Sequence, residues 1–554
     1  MSTKKQVSGL DELRWDNRFT NELPVDESTV NRPRQVHGVM SSRVEPVIAS
    51  SPSLVAWSSE MSVMLGIDDR LWTDAPDLMA RVFSGSELLD GMDPHAACYG
   101  GHQFGNWAGQ LGDGRAMSLG EIVGPDGQHH TLQLKGAGPT PYSRSADGMA
   151  VLRSSVREFL CSEAMFHLGI ETTRALSLTV TGDKVVRDMF YDGNAKPEPG
   201  AVVCRVAPSF IRFGSFQIFA ARQETEQLRQ LADFTIGHYF AHLTEDHEPG
   251  SNAIYGAFFD EVCRTTLAMV IGWMRVGFVH GVMNTDNMSI HGATIDYGPY
   301  GWLEGFDPGW TPNTTDAAQR RYRYGHQPQV AQWNLLQLAN ALVQLSGEPE
   351  PFENALRAYA ENYERDNAAM WRSKIGLAQD DAPAEPADRL VAELVDLLLL
   401  TETDMTIFFR RLADITTGAG SSDTAGSSDT ADRDDATLVA PLADAYYLDG
   451  AAAEVAEATA AWLRRYLAAA TATGVADEER RSAMNRVNPL YVMRNYLAQE
   501  AIDAAEQNDF APVAELLDVM RTPYEEVPGR ESYAKKRPEW ARERPGCSQL
   551  SCSS

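Results

Sequence analysis

The chain has 554 residues, and its 77 Asp and Glu outnumber 48 Lys and Arg, a formal net charge of −29. With 43% hydrophobic and 9% aromatic residues it can bury a large core, so global disorder is excluded. A chain this negative repels phosphate backbones, which excludes broad electrostatic nucleic-acid binding and leaves room only for a small local basic site.

The length suggests two to four structural units at about 100–200 residues each. The N-terminus, MSTKKQVSGLDELRWDNRF, lacks an apolar signal core. No stretch reaches the roughly 18–20 apolar residues of a membrane span; the most apolar run, Leu394–Leu400, is interrupted by Asp396. Six Cys make no disulfide framework. The expectation is a cytoplasmic protein, monomeric, with neither nucleic acid nor membrane as partner. Only 8 of the 48 basic residues are Lys. Acidity with few Lys suits concentrated salt, where a Debye length of about 3 Å screens self-repulsion, so a halophilic, salt-rich setting is expected.

Residues 1–80 mix short helical stretches with Pro-marked loops (Pro24, Pro33, Pro46, Pro52) and read as an extension packed on a larger body. Glycines then cluster at 100, 101, 105, 109, 112, 114 and 120. Ala116–Val123 reads as a strand, Gly124-Pro-Asp-Gly127 as a turn and His129–Lys135 as a second strand, in which Leu132 and Leu134 alternate with Gln133 and Lys135. Leu152, Val156, Phe159, Leu160 and Met165 recur at helical spacing and predict a helix over 148–169, stopped by Gly169. Strands are predicted at 175–180 and 201–206. Beyond about 225 the pattern turns helical, with candidates at 253–277, 328–346, 352–369, 386–413, 438–471, 491–507 and 511–521. A duplicated hexapeptide, Ala419–Thr424 and Ala425–Thr430, is small, polar and acidic, and predicts a disordered surface loop.

This order, a β-rich half before a helical half, predicts a bilobal protein with a cleft between the lobes. The expected units are the extension 1–80, an N-lobe 81–214, a helical C-lobe 215–417 with a metal-binding loop, the acidic loop 418–436, a helical extension 437–530, and a flexible tail 531–554 with Cys547 and Cys552. The two tail thiols are possible redox groups.

The densest chemistry is His280-Gly-Val-Met-Asn-Thr-Asp286-Asn287, followed by Ile295-Asp296-Tyr-Gly298. Phosphotransferases of the protein-kinase type use H-R-D-x-x-x-x-N and then D-F-G, whose Asn and later Asp hold metal ions against nucleotide phosphates. Hard divalent cations take oxygen ligands, which Asn287 and Asp296 supply. The position of the usual proton acceptor is Val282, which cannot take a proton; Asp286 is the nearest substitute carboxylate. Lys135 is the only Lys between Lys5 and Lys184, and a compact ammonium fits between a carboxylate and a phosphate where an Arg fork does not. Glu158, on the predicted helix, is its expected partner, with Glu163 as the competing acid. Gly109-Gln-Leu-Gly112-Asp-Gly114-Arg115 runs G-x-x-G-x-G, whose backbone amides suit phosphates. Arg205 and Arg212 flank Val-Ala-Pro-Ser-Phe-Ile and suit one anion. No zinc spacing and no nucleophile elbow is present.

Assembled, these residues resemble the SelO (YdiU) family of kinase-like protein adenylyltransferases. The resemblance is carried by Tyr99–Arg115, Leu134–Arg144 with Asp147-Gly148, Arg205–Gly214, His280–Ser289, Trp333-Asn-Leu335, Phe408–Leu412 and Asn488–Leu497. It implies an α+β, bilobal protein-kinase-like fold with a β-rich N-lobe, a helical C-lobe and a helical C-terminal extension. It implies ATP bound in a flipped orientation and AMP transferred to Ser, Thr or Tyr hydroxyls of protein substrates, with release of pyrophosphate. Asp286 matches the proton acceptor, and Asn287 and Asp296 match the ligands of Mg²⁺ or Mn²⁺. Gly112, Gly114, Arg115, Lys135, Asp147, Gly148, Arg205, Arg212 and Asp296 match nucleotide contacts. The family's redox link and its C-terminal selenocysteine in eukaryotes motivate a redox role for Cys552. Uridylyl transfer is a further activity left open beside adenylyl transfer; an ATP-dependent kinase-type phosphotransferase and an inactive nucleotide-binding pseudokinase are the competing readings.

Overall fold

In the computed structural model the described residues are 9–190, 192–378, 384–417, 434–448 and 453–551. The strands are β1 (Val25–Asp26), β2 (Ser41–Arg43), β3 (Ser53–Trp57), β4 (His95–Ala97), β5 (Gly100–Gln103), β6 (Asn106–Gln110), β7 (Ala116–Val123), β8 (His129–Lys135), β9 (Arg174–Arg187), β10 (Lys196–Ala207), β11 (Phe278–Val279) and β12 (Gly301–Trp302). An eight-stranded sheet has the order β1-β2-β4-β7-β8-β10-β9-β3. The β7–β8 hairpin falls where the sequence places it, because Gly124-Pro-Asp-Gly127 supplies a left-handed Gly at the turn.

The sheet is buried on both faces. Met117, Leu119, Leu132, Leu134, Cys204 and Val206 pack with Met61, Leu65, Leu71, Trp72 and Phe83 of the N-terminal segment. Each such side chain, fully buried, contributes about 1.5–3 kcal/mol. The expected extension 1–80 is therefore no appendage: it supplies three strands of the sheet and the helices that cover one face. The other face meets the helix Leu152–His167, whose Leu152, Val156, Phe159 and Leu160 share a core with Ala201 and Val203.

From Phe213 onward helices dominate, among them Phe213–Arg222, Thr225–Tyr239, Asn252–Val276, Gln327–Ser346 and Glu350–Lys374. The helix expected over 386–413 is two, Glu385–Leu398 and Met405–Ala413, because Asp404 caps a new N-terminus through Ile407 N. The segment expected as one helix over 438–471 contains Asp435–Val439, a 3₁₀ stretch Ala440–Ala445 and Ala453–Ala472. The expected acidic loop lies almost wholly outside the described residues; its last positions open the helix Asp435–Val439, capped by Asp434.

The segment Asn488–Leu497 is structural. Asn488 holds the buried Lys374 ammonium at 2.7 Å, and Arg494 grips Asp404 at 2.8 and 3.0 Å and also pairs with Glu304. Asn495 donates to the Cys547 carbonyl at 2.8 Å. Residues 531–551, expected as a flexible tail, are correspondingly anchored: Leu550 donates to Pro312 O and accepts from Thr314 N, and is fully buried. Cys547 is buried and burial pushes its thiol up to about 11, so it is no exposed redox group. Cys552 lies outside the described residues. No helix among the described residues is long and apolar enough to cross a membrane.

Candidate functional site

Strand register builds the floor of the site. Arg205 on β10 stands directly opposite Gln133 on β8, and Val203 opposite Lys135. Side chains alternate along a strand, so Gln133, Lys135 and Arg205 share one face. The polar residues of the Leu132–Lys135 alternation thus point into the protein rather than to solvent, and both Gln133 and Lys135 are buried.

The helix Leu152–His167 crosses that face and brings Glu158. Lys135 Nζ lies 2.5 Å from Glu158 Oε2, and Arg205 Nη1 lies 2.9 Å from Glu158 Oε1. Glu163 is five residues on, about 140° around the helix. It is held instead by Arg174, with two contacts of 2.7 Å, and so does not compete for Lys135.

Asp296 sits above this pair. Its left-handed backbone (φ 60°) is an uncommon conformation that Asp tolerates better than bulky residues. Arg205 Nη1 approaches its Oδ1 at 2.5 Å, Lys135 Nζ stands 3.7 Å away, and Arg212 pairs with Oδ2. Burial alone would raise the Asp296 carboxyl, but Arg212, Arg205 and Lys135 hold it well below its ordinary value. Arg212 also donates to the Asp286 carbonyl at 2.7 Å, stacks 4.6 Å from the centre of the Tyr99 ring and faces Asp113 at 3.8 Å. Arg205 and Arg212 are each 1% exposed, so this is a desolvated charge cluster rather than a surface network.

The 280–287 loop closes the far wall. His280 donates from Nε2 to Ile295 O at 2.9 Å and accepts from Val282 N at 3.3 Å, which fixes the neutral Nε2–H tautomer and ties this loop to Asp296. Burial also lowers the His280 pKa. Asp286 is buried, and burial raises its carboxyl to about 6 against its own backbone N–H and the amide of Gln103. Gln103 Nε2 holds Oδ2 at 3.3 Å, while Oδ1 has no protein partner. Asn287 donates its amide N–H to Val282 O at 2.9 Å, which leaves its amide oxygen as a hard donor.

A cleft of about 670 Å³ joins these groups to the glycine segment. Gly112, Gly114, Arg115, Asp147 and Gly148 all line it. Gly112 adopts φ 84° with the Tyr142 ring 2.4 Å from where a Cβ would stand, so only glycine fits there. Asp147 is engaged by Arg187 through two contacts of 2.7 Å; partial burial opposes its ionisation, but Arg187 and the Met149 N–H lower its pKa. All of the residues singled out for nucleotide, metal and proton-acceptor roles therefore meet at one cleft, and Glu158 lies beneath it. Sequence reasoning missed Asp113, Gln133 and Gln103. Asp113 lies inside the glycine segment and Gln133 two residues before Lys135, so position relative to these motifs was the available signal.

A larger hollow of about 1230 Å³ lies among residues 406–414, 443–448 and 526–539. Several of its charges are paired, as in Arg410–Glu526 and Arg411–Asp444.

Residues 37–521 match the family described as protein adenylyltransferase SelO. A protein nucleotidyltransferase YdiU of Rhodopirellula baltica is 57% identical over 549 residues, covering 98% of this chain and 99% of the relative. The protein of the same name from Azoarcus sp. (strain BH72) is 56% identical over 542 residues, with 98% and 99% covered. That of Nitrosospira multiformis is 51% identical over 552 residues, with 98% and 97% covered.

Proposed function

Since this chain belongs to the SelO family of protein adenylyltransferases and is a protein nucleotidyltransferase using ATP, we propose the following course for its reaction. The molecule works as a bilobal, kinase-like enzyme, with the sheet and its helix above the cleft and the helical region below. ATP lies flipped, its γ-phosphate deep against Lys135, Arg205 and Arg212 and its α-phosphate toward Asp286. A Ser, Thr or Tyr hydroxyl of a protein substrate attacks the α-phosphorus. Its proton passes to Asp286, the bond from the α-phosphorus to the bridging oxygen breaks, and pyrophosphate leaves.

The observation that carries this reading is the pairing of a base and a cation trap. Asp286 has one buried carboxylate oxygen without a hydrogen-bond partner, and burial raises its carboxyl to about 6, suited to taking a proton near neutrality. Three buried cations converge on one carboxylate, Asp296, at the cleft floor. Nucleotidyl transfer depends on positioning and charge neutralisation more than on a strong base, so Val282 at the usual base position is no obstacle.

The residues present also suit a divalent cation. Asn287 offers a free amide oxygen, and the Asp296 side chain is 21% exposed toward the cleft while Arg205 and Arg212 beneath it are closed off. Two protein oxygens completed by phosphate oxygens match how Mg²⁺ is commonly held, and Mn²⁺ accepts the same donors. Such an ion would neutralise charge on the polyphosphate. Arg212 fixes the Asp286 backbone, Gln103 orients its carboxylate, and Glu158 keeps Lys135 and Arg205 extended toward the phosphates.

ATP labelled at either phosphate tests the proposal. Label from the α-position alone should enter the acceptor protein; label from the γ-position alone would show a phosphotransferase, and neither a nucleotide-binding regulator. The acidic surface fits a salt-rich setting, to be checked by whether thermal stability rises between dilute and molar salt.

A further inference from the structure

Beside Asp286 the chain builds a surface that the nucleotide chemistry leaves unused. It consists of the β5–β6 hairpin, the loop 319–323 and Trp333 on the helix Gln327–Ser346. The loop carries Arg320, Arg321 and Arg323, none of which makes an ion pair among the described residues, and the buried Nε of Arg321 has no hydrogen-bond partner. Three arginines within four residues, with only the buried Asp316 carboxylate acting on Arg321 and Arg323 and no ion pair formed among the described residues, stand out in a chain of net charge −29. The Arg321 guanidinium lies 4.7 Å over the Trp333 ring and rests on the hairpin tip, 3.5 Å from where a Cβ on Gly105 would stand. Trp107 is 39% exposed and its ring lies 5.0 Å from His102, which meets Trp333 at 5.4 Å. An aromatic strip thus runs from the hairpin to the arginines.

This surface is rigidly joined to the proton acceptor. Buried Asp316 accepts from Arg321 N at 3.0 Å and Tyr322 N at 2.7 Å, which fixes the arginine loop. Tyr322 lies within that loop and donates to Asn284 Oδ1 at 2.6 Å, two residues before Asp286. The hairpin joins the same knot, Phe104 N donating to Tyr322 OH at 3.0 Å and to Asn284 Oδ1 at 3.2 Å. The inner face of the hairpin touches Asp286 through Gln103, while β6 is exposed over Asn106–Ala108 and pairs only with β5 among the described residues. Its outer edge can therefore take another strand.

We propose that this surface docks the acceptor protein through an extended, acidic segment. Carboxylates of that segment pair with Arg320, Arg321 and Arg323, its backbone runs along β6, and an apolar side chain covers Trp107. The hydroxyl to be modified then reaches over the hairpin rim to Asp286. Charge complementarity selects the acidic partner, since the rest of this chain repels one. The inference deepens the adenylyl-transfer reading and rests on it.

The test uses the full-length enzyme with a non-hydrolysable ATP analogue and two labelled 12-residue peptides. Each has one central Thr, flanked by Glu in one peptide and by Lys in the other. Fluorescence anisotropy should show the acidic peptide binding about tenfold or more tightly at low salt, a preference that shrinks as salt rises. R320E/R323E should abolish or reverse the preference, and W107A should weaken binding of the acidic peptide about tenfold, both with unchanged affinity for the ATP analogue. R320K/R323K keeps the charge and should keep the preference, which separates a charge effect from misfolding. Equal binding of the two peptides, a preference that survives R320E/R323E, or stronger binding of a 12-nucleotide single-stranded DNA at this surface would overturn the proposal. If the peptide pattern holds but α-label never reaches any acceptor, the docking surface stands and the reaction assigned above fails.

Discussion

Replacing Asp296 by Asn keeps the side-chain shape and removes one negative charge from the centre of the buried cluster. Lys135, Arg205 and Arg212 face Glu158, Asp113 and Asp296, so charges of the two signs balance before the change and not after it. The Arg205–Asp296 contact at 2.5 Å is worth roughly 6–7 kcal/mol in Coulomb terms at an effective dielectric of about 20. Desolvation offsets part of that, and breaking a buried pair costs about 3–5 kcal/mol net. Urea denaturation followed by tryptophan fluorescence should show a loss of that size at pH 7. The pH dependence has a definite sign. The Asp296 carboxyl is held well below its ordinary 3.8, so its stabilisation is present above 3.8 and lost as pH falls through the depressed value. The gap between wild type and D296N should therefore narrow only in acid. Metal-free ATP should raise the melting temperature of D296N more than that of wild type, because the cluster left with one uncompensated positive charge is the one proposed to meet its phosphates. Adenylyl transfer by D296N should be lost. A stability loss under about 1 kcal/mol, or a gap unchanged down to acid pH, would refute the coupling described.

Asp286→Asn should lower transfer by about 10²–10⁴-fold while ATP binding, followed by calorimetry, persists. Wild-type turnover should rise with pH through about 6, because a base raised by burial must first lose its proton; by linkage, ionising it costs stability over the same rise, so the Asp286→Asn variant should lose less stability than wild type as pH climbs through that value. Gly101→Ala would place a Cβ 2.5 Å from Asp286 Oδ1 and should reduce kcat with little change in KM for ATP; an unchanged kcat would show that Asp286 is not positioned by β5. Cys98, Cys161, Cys204, Cys263 and Cys547 are all buried. In a Cys552→Ser variant none of these five should react quickly with a thiol reagent until urea unfolds the chain, and a fast-reacting Cys547 would contradict its anchoring.

Which parts of this site were legible in the sequence follows from what local patterns encode. The hairpin 116–135 was readable because turn chemistry and alternation are local. The same alternation marked Gln133 and Lys135 as a polar face, but a half-exposed strand is the ordinary meaning of that pattern, and only packing showed the face to be buried over a site. The choice of Glu158 over Glu163 was open in the helix periodicity; it was decided by Arg174 on β9 capturing Glu163. Residues 1–80 read as an extension on their short helical stretches and Pro-marked loops; β2 and β3 escaped that reading because they are short and their membership of the sheet depends on partners far along the chain. The tail was expected to be flexible, yet Leu550 and Cys547 are held by Pro312, Thr314 and Asn495, contacts of long sequence separation.

By itself the sequence determined the inventory: an acidic, Lys-poor chain, one conspicuous strand Lys, a loop with Asp286 and Asn287, and Asp296 after it. These survive without coordinates because residue type and short spacing carry their chemistry. The tertiary structure decided how the charges are shared. It made Asp296 the common partner of Lys135, Arg205 and Arg212, left one oxygen of Asp286 buried without a hydrogen-bond partner, and tied to Asn284, two residues before Asp286, a loop whose three arginines form no ion pair among the described residues. The physical reason is range: periodicity fixes which face a side chain takes, whereas burial and ion pairing depend on what another part of the chain brings to that face.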